Sequence, residues 1–414
     1  MKIPMADAVI IGGGAAGTLC AALAAGRGLK TVLLEPNREL GRKLRITGKG
    51  RCNVTNDCTP REFIEAIPGD GRFLQSAIHR FSCQDVMAFF EGLGVPLKTE
   101  RGRRVFPVSD KAGDIAGALA RLCHKNGVEI LREKAKAIKT GEDGVCAVVT
   151  ERGEIPCRSA VICTGGLSYP GTGSTGDGYA MARALGHTVN QCRPSLVPLE
   201  SPDGYCREMQ GFSLRNVTLS AYEDGKLIYR ELGEMLFTHF GVSGPLVLSA
   251  SAHMRAFGKA SYRLSIDLKP GLDEKKLDAR ILRDLAKFQN REFRNCLGEL
   301  AGRAMIPVLV RLSGIPETER ANSITREQRQ RLVRLFKDFP VAISGPRPIA
   351  EAIITSGGVS TREVDPRTMM SKLVPGLYFA GEVLDLDAYT GGYNLQIAWS
   401  TAHAAANSLR TEDE

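Results

Sequence analysis

The first forty residues set an apolar pattern broken by glycine. Asp7 to Ile11 is a β-branched run of strand character, Gly12 to Gly17 a glycine turn, Ala15 to Arg27 an alanine-rich helix, and Lys30 to Leu34 a second strand closed by Glu35. Together they form a βαβ unit, and the right-handed crossover rule makes the two strands parallel. The polar, basic segment Gly41 to Asn56, GRKLRITGKGRCNVTN, has no apolar period and reads as a loop. Helical patterns follow at about Gln84 to Gly92 and Lys111 to Asn126. Strand patterns lie at about Val128 to Thr140 and Val145 to Thr150, joined by the turn Gly141-Glu142-Asp143-Gly144. Ala160 to Cys163 reads as a buried strand ending in Thr164-Gly165-Gly166. From Cys192 the pattern changes to strands with hairpin signals, such as Asn216 to Tyr222, Glu223-Asp224-Gly225, and Lys226 to Tyr229. Residues 273–338 have helical periodicity. After Gly345-Pro346 the buried-strand style returns, with Gly376 to Ala380 and a closing apolar helix from Leu395 to Leu409.

A chain of 414 residues is long enough for two or three domains and excludes a disulfide-stapled miniprotein. Apolar residues at 43% and charged residues at 24% exclude a disordered chain and a polytopic membrane protein. The run of uncharged residues from Ala8 to Gly26 contains Gly12, Gly13, Gly14 and Gly17 together with Thr18 and Cys20, so strand, turn and helix explain it better than a membrane span. The net charge of +9 favours anionic partners, and residues 273–338 carry 15 Lys/Arg against 10 Asp/Glu. Eleven cysteines without a C-x-x-C pair or zinc spacing read as reduced thiols and give no metal site. No basic segment with a cleavage site marks the chain for export, so a cytoplasmic location is expected.

Gly12-x-Gly14-x-x-Gly17 lies between a strand and a helix, with Glu35 following 23 residues after Gly12. Glycines allow the tight turn, free N–H groups at the helix start hold a pyrophosphate, and the acid takes ribose hydroxyls. A second match, Gly171-x-Gly173-x-x-Gly176, has no strand leading into it and reads as a glycine loop near the ligand. FAD rather than NAD is the expected occupant, because a distant C-terminal stretch offers a second grip. Gly376 to Glu382 resembles the second flavoprotein fingerprint, with Glu382 where such proteins carry Asp. Gly391-Gly392-Tyr393-Asn394-Leu395 opens the closing helix, whose positive end suits the charge on a reduced flavin.

These motifs, with GRKLRITGKGRCNVTN and GEMLFTHFGVSGPLVLSAS (Gly233 to Ser251), resemble the BaiN/RdsA family of NAD(P)/FAD-dependent oxidoreductases along essentially the whole chain. The resemblance implies an α/β fold of the two-dinucleotide-binding flavoprotein type: a Rossmann-like FAD domain (1–191 and 346–414) with an inserted β-barrel-like module (192–272 and 339–345) and a helical module (273–338). It implies FAD as held cofactor and NAD(P)H as electron source. Matched onto this sequence, the cofactor residues are Gly12, Gly14, Ala15, Ala16 and Gly17 at the pyrophosphate, with Glu35 and Pro36 at the ribose. Arg42 and Lys43 lie along the cofactor, and Ala135 lies at the adenine. Gly50, Arg51, Cys52, Asn53, Thr164, Gly165, Gly166, Gly381, Glu382, Gly392, Asn394 and Leu395 complete the set.

The chemistry implied is reduction of a C=C bond conjugated to a carbonyl. Cys52 is the expected proton donor, since a thiol is protonated at neutral pH yet acidic enough to give up its proton. His239 is a candidate to polarise the carbonyl. Tyr169 and Tyr389 are candidates to stack on a planar substrate. The expected substrate is a uridine of large-subunit ribosomal RNA, met by a basic surface that includes Arg101, Arg103, Arg104, Arg326, Arg329, Arg331 and Arg334. A small-molecule enone of steroid or bile-acid type is the alternative. A non-catalytic flavin-binding protein and an amine oxidase are weaker readings.

Overall fold

The computed structural model describes residues 5–410 and shows two compact units. One runs to Ser195 and resumes at Ile349; the other is Leu196–Pro348.

The first unit is built on a parallel sheet. Strand Ala6–Ile11 lies at its centre, with Val9 opposite Val32 on one side and Ile10 opposite Val161 on the other. Strand Glu129–Leu131 lies beyond Thr31–Leu34, and Leu377–Phe379 beyond the end of Glu154–Ile162, both parallel. Covered on both faces, such strands are continuous apolar runs: Ala8 to Ile10 and Ala160 to Ile162 are fully buried. The start of Glu154–Ile162 pairs instead with the hairpin Ala135–Gly141 and Gly144–Thr150.

Helix Ala15–Gly26 packs on the closing helix Tyr393–Ser408 and on helix Ala112–Lys125. It is rich in buried alanine (Ala21, Ala22, Ala24), as is the closing helix (Ala402, Ala404, Ala405 and Ala406). Small side chains let the helix axes approach closely. The run from Ala8 to Gly26 is thus part strand, part turn and part helix, and no helix among the described residues is long and apolar enough to cross a membrane.

Two sequence readings change. The single strand expected over 128–140 is two, Glu129–Leu131 and Ala135–Gly141, because its halves pair with different partners. The segment 41–56, read as a loop, begins with a helical turn from Arg42. Its backbone leaves helical geometry at Thr47, where ψ is 150°, and Gly48 and Lys49 follow with positive φ. One buried residue, Leu44, anchors that turn, and a single apolar position creates no period to read.

The second unit holds a seven-stranded antiparallel sheet. Its outer strands, Phe339–Ile343 and Gly345–Pro346, are consecutive in the chain with only Ser344 between them, so the sheet curls until its edges meet. The hairpin Ser213–Glu223 and Lys226–Thr238 turns at Asp224-Gly225, both with positive φ. Helices Glu274–Lys287, Ile306–Ser313 and Arg326–Lys337 share one apolar core with this sheet; Leu277, Ile281, Leu332 and Phe336 join Leu264, Ile266 and Phe339. Two of them start at side-chain caps, Asp273 and Thr325, and the ion pair Arg329–Asp278 at 2.6 Å links them.

Two histidines, His187 buried and His403 half-buried, are expected to make stability pH-dependent. His187 donates to or accepts from Ser371 Oγ at 2.8 Å, His403 stacks on Phe81 at 4.5 Å, and neither Nδ1 has a hydrogen-bond partner. Burial depresses both imidazoles below their ordinary pKa. In acid the unfolded chain then binds more protons than the folded one, so the contribution is full above about pH 6.5 and shrinks as pH falls. The melting temperature is expected to drop between about pH 7.5 and pH 5.5, and less steeply in a His187→Gln/His403→Gln variant. An equally steep drop in that variant would assign the acid sensitivity to other groups.

Candidate active site

The glycine turn after the first strand has two kinds of glycine. At Gly12, φ is +102° and a Cβ would lie 2.7 Å from the Cys163 carbonyl oxygen; at Gly17 a Cβ would lie 1.8 Å from the Gly12 oxygen. These two let the helix approach the strand ends. Gly14 is different: its φ is −76°, and no atom lies within 4 Å of a Cβ built there. It is the N-cap of helix Ala15–Gly26, with no side chain capping the helix. Nothing within the chain requires it to be bare, and its bareness leaves the helix N-terminus open to an anion.

That opening faces a cavity of about 300 Å³ within the first unit. Gly12, Gly14, Ala15, Ala16, Glu35, Pro36, Arg42, Lys43, Ala135, Thr164, Gly165, Gly381, Glu382, Asn394 and Leu395 all line it. The leading glycine turn and the start of the closing helix, more than 370 residues apart in the chain, are therefore walls of one space. The closing helix also starts without a side-chain cap, at Gly392, where φ is +99°. Thr164 adds a buried hydroxyl with no partner.

Glu35 is held in place by the turn it serves. One carboxylate oxygen accepts from the Gly13 N–H at 2.8 Å, and the other from the Asn37 backbone and side-chain amides at 2.8 and 2.7 Å. Asn37 in turn accepts from Arg42 at 2.9 Å.

Lys43 and Glu382, expected at separate points along a cofactor, meet each other. The ammonium donates to Glu382 Oε2 and to Ser168 Oγ, both at 2.6 Å. Glu382 Oε1 accepts from Ser168 Oγ at 2.9 Å and from the Thr355 N–H at 3.0 Å. Thr355 Oγ1 receives the Leu167 and Ser168 N–H groups, and a Cβ on Gly166 would strike that oxygen at 2.3 Å. Gly166 thus makes room for this network without lining the cavity. Asn37, Ser168 and Thr355 were missed from sequence, as lone polar residues with no motif around them. The second glycine match signalled the Thr172 to Thr175 loop, which also borders the cavity.

The far end of the signature segment is a strap on the closing helix. Thr55 Oγ1 donates to Gln396 Oε1 at 2.6 Å, Asn56 Nδ2 to the Gly391 carbonyl at 3.0 Å, and the Trp399 indole to the Val54 carbonyl at 2.9 Å. A Cβ on Gly392 would lie 2.3 Å from the Thr55 backbone. Asn394 fastens the preceding loop through the Ala388 backbone at 2.8 and 2.9 Å.

Several expected site residues stand elsewhere. Gly17, Gly50, Arg51, Cys52, Asn53, Gly166 and Gly392 do not line the cavity. Arg51 is tied to Glu100 and Asp110 and lies over the Phe106 ring at 4.1 Å. Cys52 is fully buried, and burial pushes its thiol up to about 12 despite a hydrogen bond with Thr47. The structure thus places Cys52, expected as proton donor, in the core and off the cavity wall, and burial makes its proton harder to release. Tyr169 and Tyr389 do not line the cavity either. His239 lies in the second unit, exposed, its ring against Phe240 at 5.0 Å. Of the expected basic surface, Arg103 is paired with Glu62 and Arg329 with Asp278, while Arg326, Arg331 and Arg334 are exposed.

Comparison with known proteins agrees with this architecture. The model of the HI0933-like protein Rossmann domain matches residues 6–408. The chain belongs to that family. It is a family of flavin-dependent oxidoreductases. The ribosomal RNA dihydrouridine synthase of Escherichia coli (strain K12) is 33% identical over 97% of this chain and 98% of its own length. The 3-dehydro-bile acid delta(4,6)-reductase of Clostridium scindens is 30% identical over 96% of this chain and 98% of its own. Among solved structures, the 3-ketosteroid-delta4-(5alpha)-dehydrogenase of Rhodococcus jostii RHA1 shares the fold at TM-score 0.52 and 15% identity, covering 98% of each chain.

Two substitutions separate packing from site. Gly17→Ala is expected to abolish soluble protein, because its methyl overlaps the Gly12 carbonyl. Cys52→Ala is expected to cost about 1–3 kcal/mol in chemical denaturation and to leave turnover per folded enzyme within about twofold. A large loss of turnover at unchanged stability would return Cys52 to the chemistry.

Proposed function

We propose that the cavity holds FAD and that the protein uses NAD(P)H to reduce a carbonyl-conjugated C=C bond, with a uridine of large-subunit ribosomal RNA as substrate. The residues present fit the cofactor. Gly14 leaves space where any side chain would intrude, two helix N-termini lack side-chain caps, and Thr164 presents an unpartnered hydroxyl. The turn Gly12 to Gly17 would hold the pyrophosphate, Glu35 and Pro36 the ribose, and Ala135 the adenine. Thr164, Gly165, Gly381, Glu382, Asn394 and Leu395 would hold the flavin end. A bound flavin supplies hydride drawn from the nicotinamide donor.

The chain's own groups fix position and charge. Glu35, immobilised by Gly13 and Asn37, offers its remaining lone pairs to hydroxyl donors without reorganising. The Lys43–Glu382 pair neutralises itself, so neither partner presents a bare charge to a ring. The uncapped closing helix directs positive potential at whatever anion develops beside it. His239, exposed as a group that meets substrate must be, is the candidate donor to the carbonyl.

The RNA reading rests on the full-length similarity to an enzyme named for that reaction, taken together with the basic excess. Uracil's C5=C6 bond is conjugated to C4=O, so one hydride chemistry serves both RNA and enone. A base in RNA must be turned out of its stack to be reached. Arg326, Arg331 and Arg334 are free to contact phosphate, which makes binding fall with salt. The bile-acid reductase relative supports the second reading, a small-molecule enone reductase.

Purified protein is expected to be yellow, and Gly14→Ala to fold with unchanged melting temperature but to retain flavin at least about tenfold more weakly. Nucleoside mass spectrometry of ribosomal RNA from a deletion strain is expected to show one dihydrouridine missing. An unchanged profile, with steroid-type enone reduced by the pure enzyme, would replace the RNA reading with the second. His239→Asn is expected to lower kcat/KM at unchanged flavin content; unaltered kcat/KM would remove that residue from the reaction.

A further inference from the structure

Outside the cavity, Cys58 and Cys83 bring their sulfur atoms to 3.8 Å although 25 residues separate them in sequence. Both residues are buried, at 3% and 1% exposure. Cys58 follows the short strand Thr55–Asn56, its N–H donating to the Asn56 carbonyl at 2.9 Å. Cys83 is the first residue of helix Cys83–Gly92, which starts at a capping box between Ser82 and Asp85.

The two thiols are unlike. The contact with the Cys58 thiol holds the Cys83 sulfur below the ordinary thiol range against the cost of burial. The helix N-terminus acts in the same direction. Cys58 is pushed up, first by its hydrogen bond to Cys83 and then by burial. The contact thus biases Cys83 toward the thiolate and Cys58 toward the protonated thiol.

We propose that Cys58 and Cys83 form an oxidisable dithiol that hydrogen peroxide converts to a disulfide, restraining the cavity wall. The Cys83 thiolate attacks the peroxide oxygen, breaking the O–O bond; the released hydroxide takes a proton to leave as water, and Cys83 becomes a sulfenic acid. The Cys58 sulfur then attacks the sulfenic sulfur, forming the S–S bond and releasing a second water. Two thiols lose two hydrogens and two electrons, and one peroxide becomes two waters.

The pair is connected to the cavity through the strap. Asn56, two residues before Cys58, holds the Gly391 carbonyl, and Thr55 holds Gln396 on the closing helix. Closing a disulfide draws the sulfurs to about 2 Å. The segment carrying Thr55 and Asn56 must follow, and with it the start of the closing helix.

The test treats full-length, flavin-loaded protein with hydrogen peroxide, blocks remaining thiols with N-ethylmaleimide under denaturing conditions, and maps peptides by non-reducing mass spectrometry. The expected product is a Cys58–Cys83 linked peptide, two hydrogens lighter and lost on reduction. In Cys58→Ser, Cys83 should instead accumulate a dimedone-trapped sulfenic acid, and in Cys83→Ser, Cys58 should not. Absence of the linked peptide at a dose that oxidises the exposed Cys146 would overturn the proposal, as would equal pairing of Cys83 with other cysteines. The cross-linked protein should melt several degrees higher and show a shifted flavin absorption band. An unchanged flavin band in fully cross-linked protein would overturn the connection to the cavity.

Discussion

The backbone contact between Gly17 and the carbonyl of Gly12 permits the rest of the architecture. Without a side chain at Gly17, helix Ala15–Gly26 lies directly against the end of the first strand, and its N-terminus points into the space beyond the sheet. The alanine face of that helix then receives the closing helix at close range, so a second helix N-terminus reaches the same space. A methyl at Gly17 would push the first helix off the strand, and the cavity would lose both ends.

The signature segment 41–56 acts at two distances. Its first turn supplies Arg42 and Lys43 to the cavity, and its last residues tie down the start of the closing helix. Between them the backbone passes through positive φ at Gly48, Lys49, Gly50 and Cys52, a reversal that buries Cys52 while returning the chain to the helix. The glycines at 391 and 392 belong to the same joint, since Thr55 fills the space a side chain at Gly392 would need and Tyr393 and Asn56 border that at Gly391. A polar sequence that reads as one loop is thus a brace between two walls.

Charge shows the difference between counting and placing. The basic excess is real, yet Arg103, Arg329 and Arg51 are spent on carboxylates within the chain. Lys43, expected to answer a pyrophosphate, answers Glu382. The exposed pair Arg103–Glu62 contributes little to stability. These pairings leave a smaller exposed set on the second unit, Arg326, Arg331 and Arg334 among them.

The local parts of this protein were legible in the chain itself. The strand, glycine turn, helix and acid of the βαβ unit, the hairpins, and the closing helix all follow from nearest-neighbour geometry and apolar period. The family's signature marked which distant stretches to bring together. Tertiary structure alone decided that Lys43, Ser168 and Thr355 would hold Glu382, and that Cys52 would be sealed in the core while Cys58 and Cys83 met. Hydrogen bonds between single polar residues far apart in the chain leave no period and no spacing. Burial, which sets the Cys52 thiol apart from the cavity, belongs to the folded neighbourhood and not to the residue.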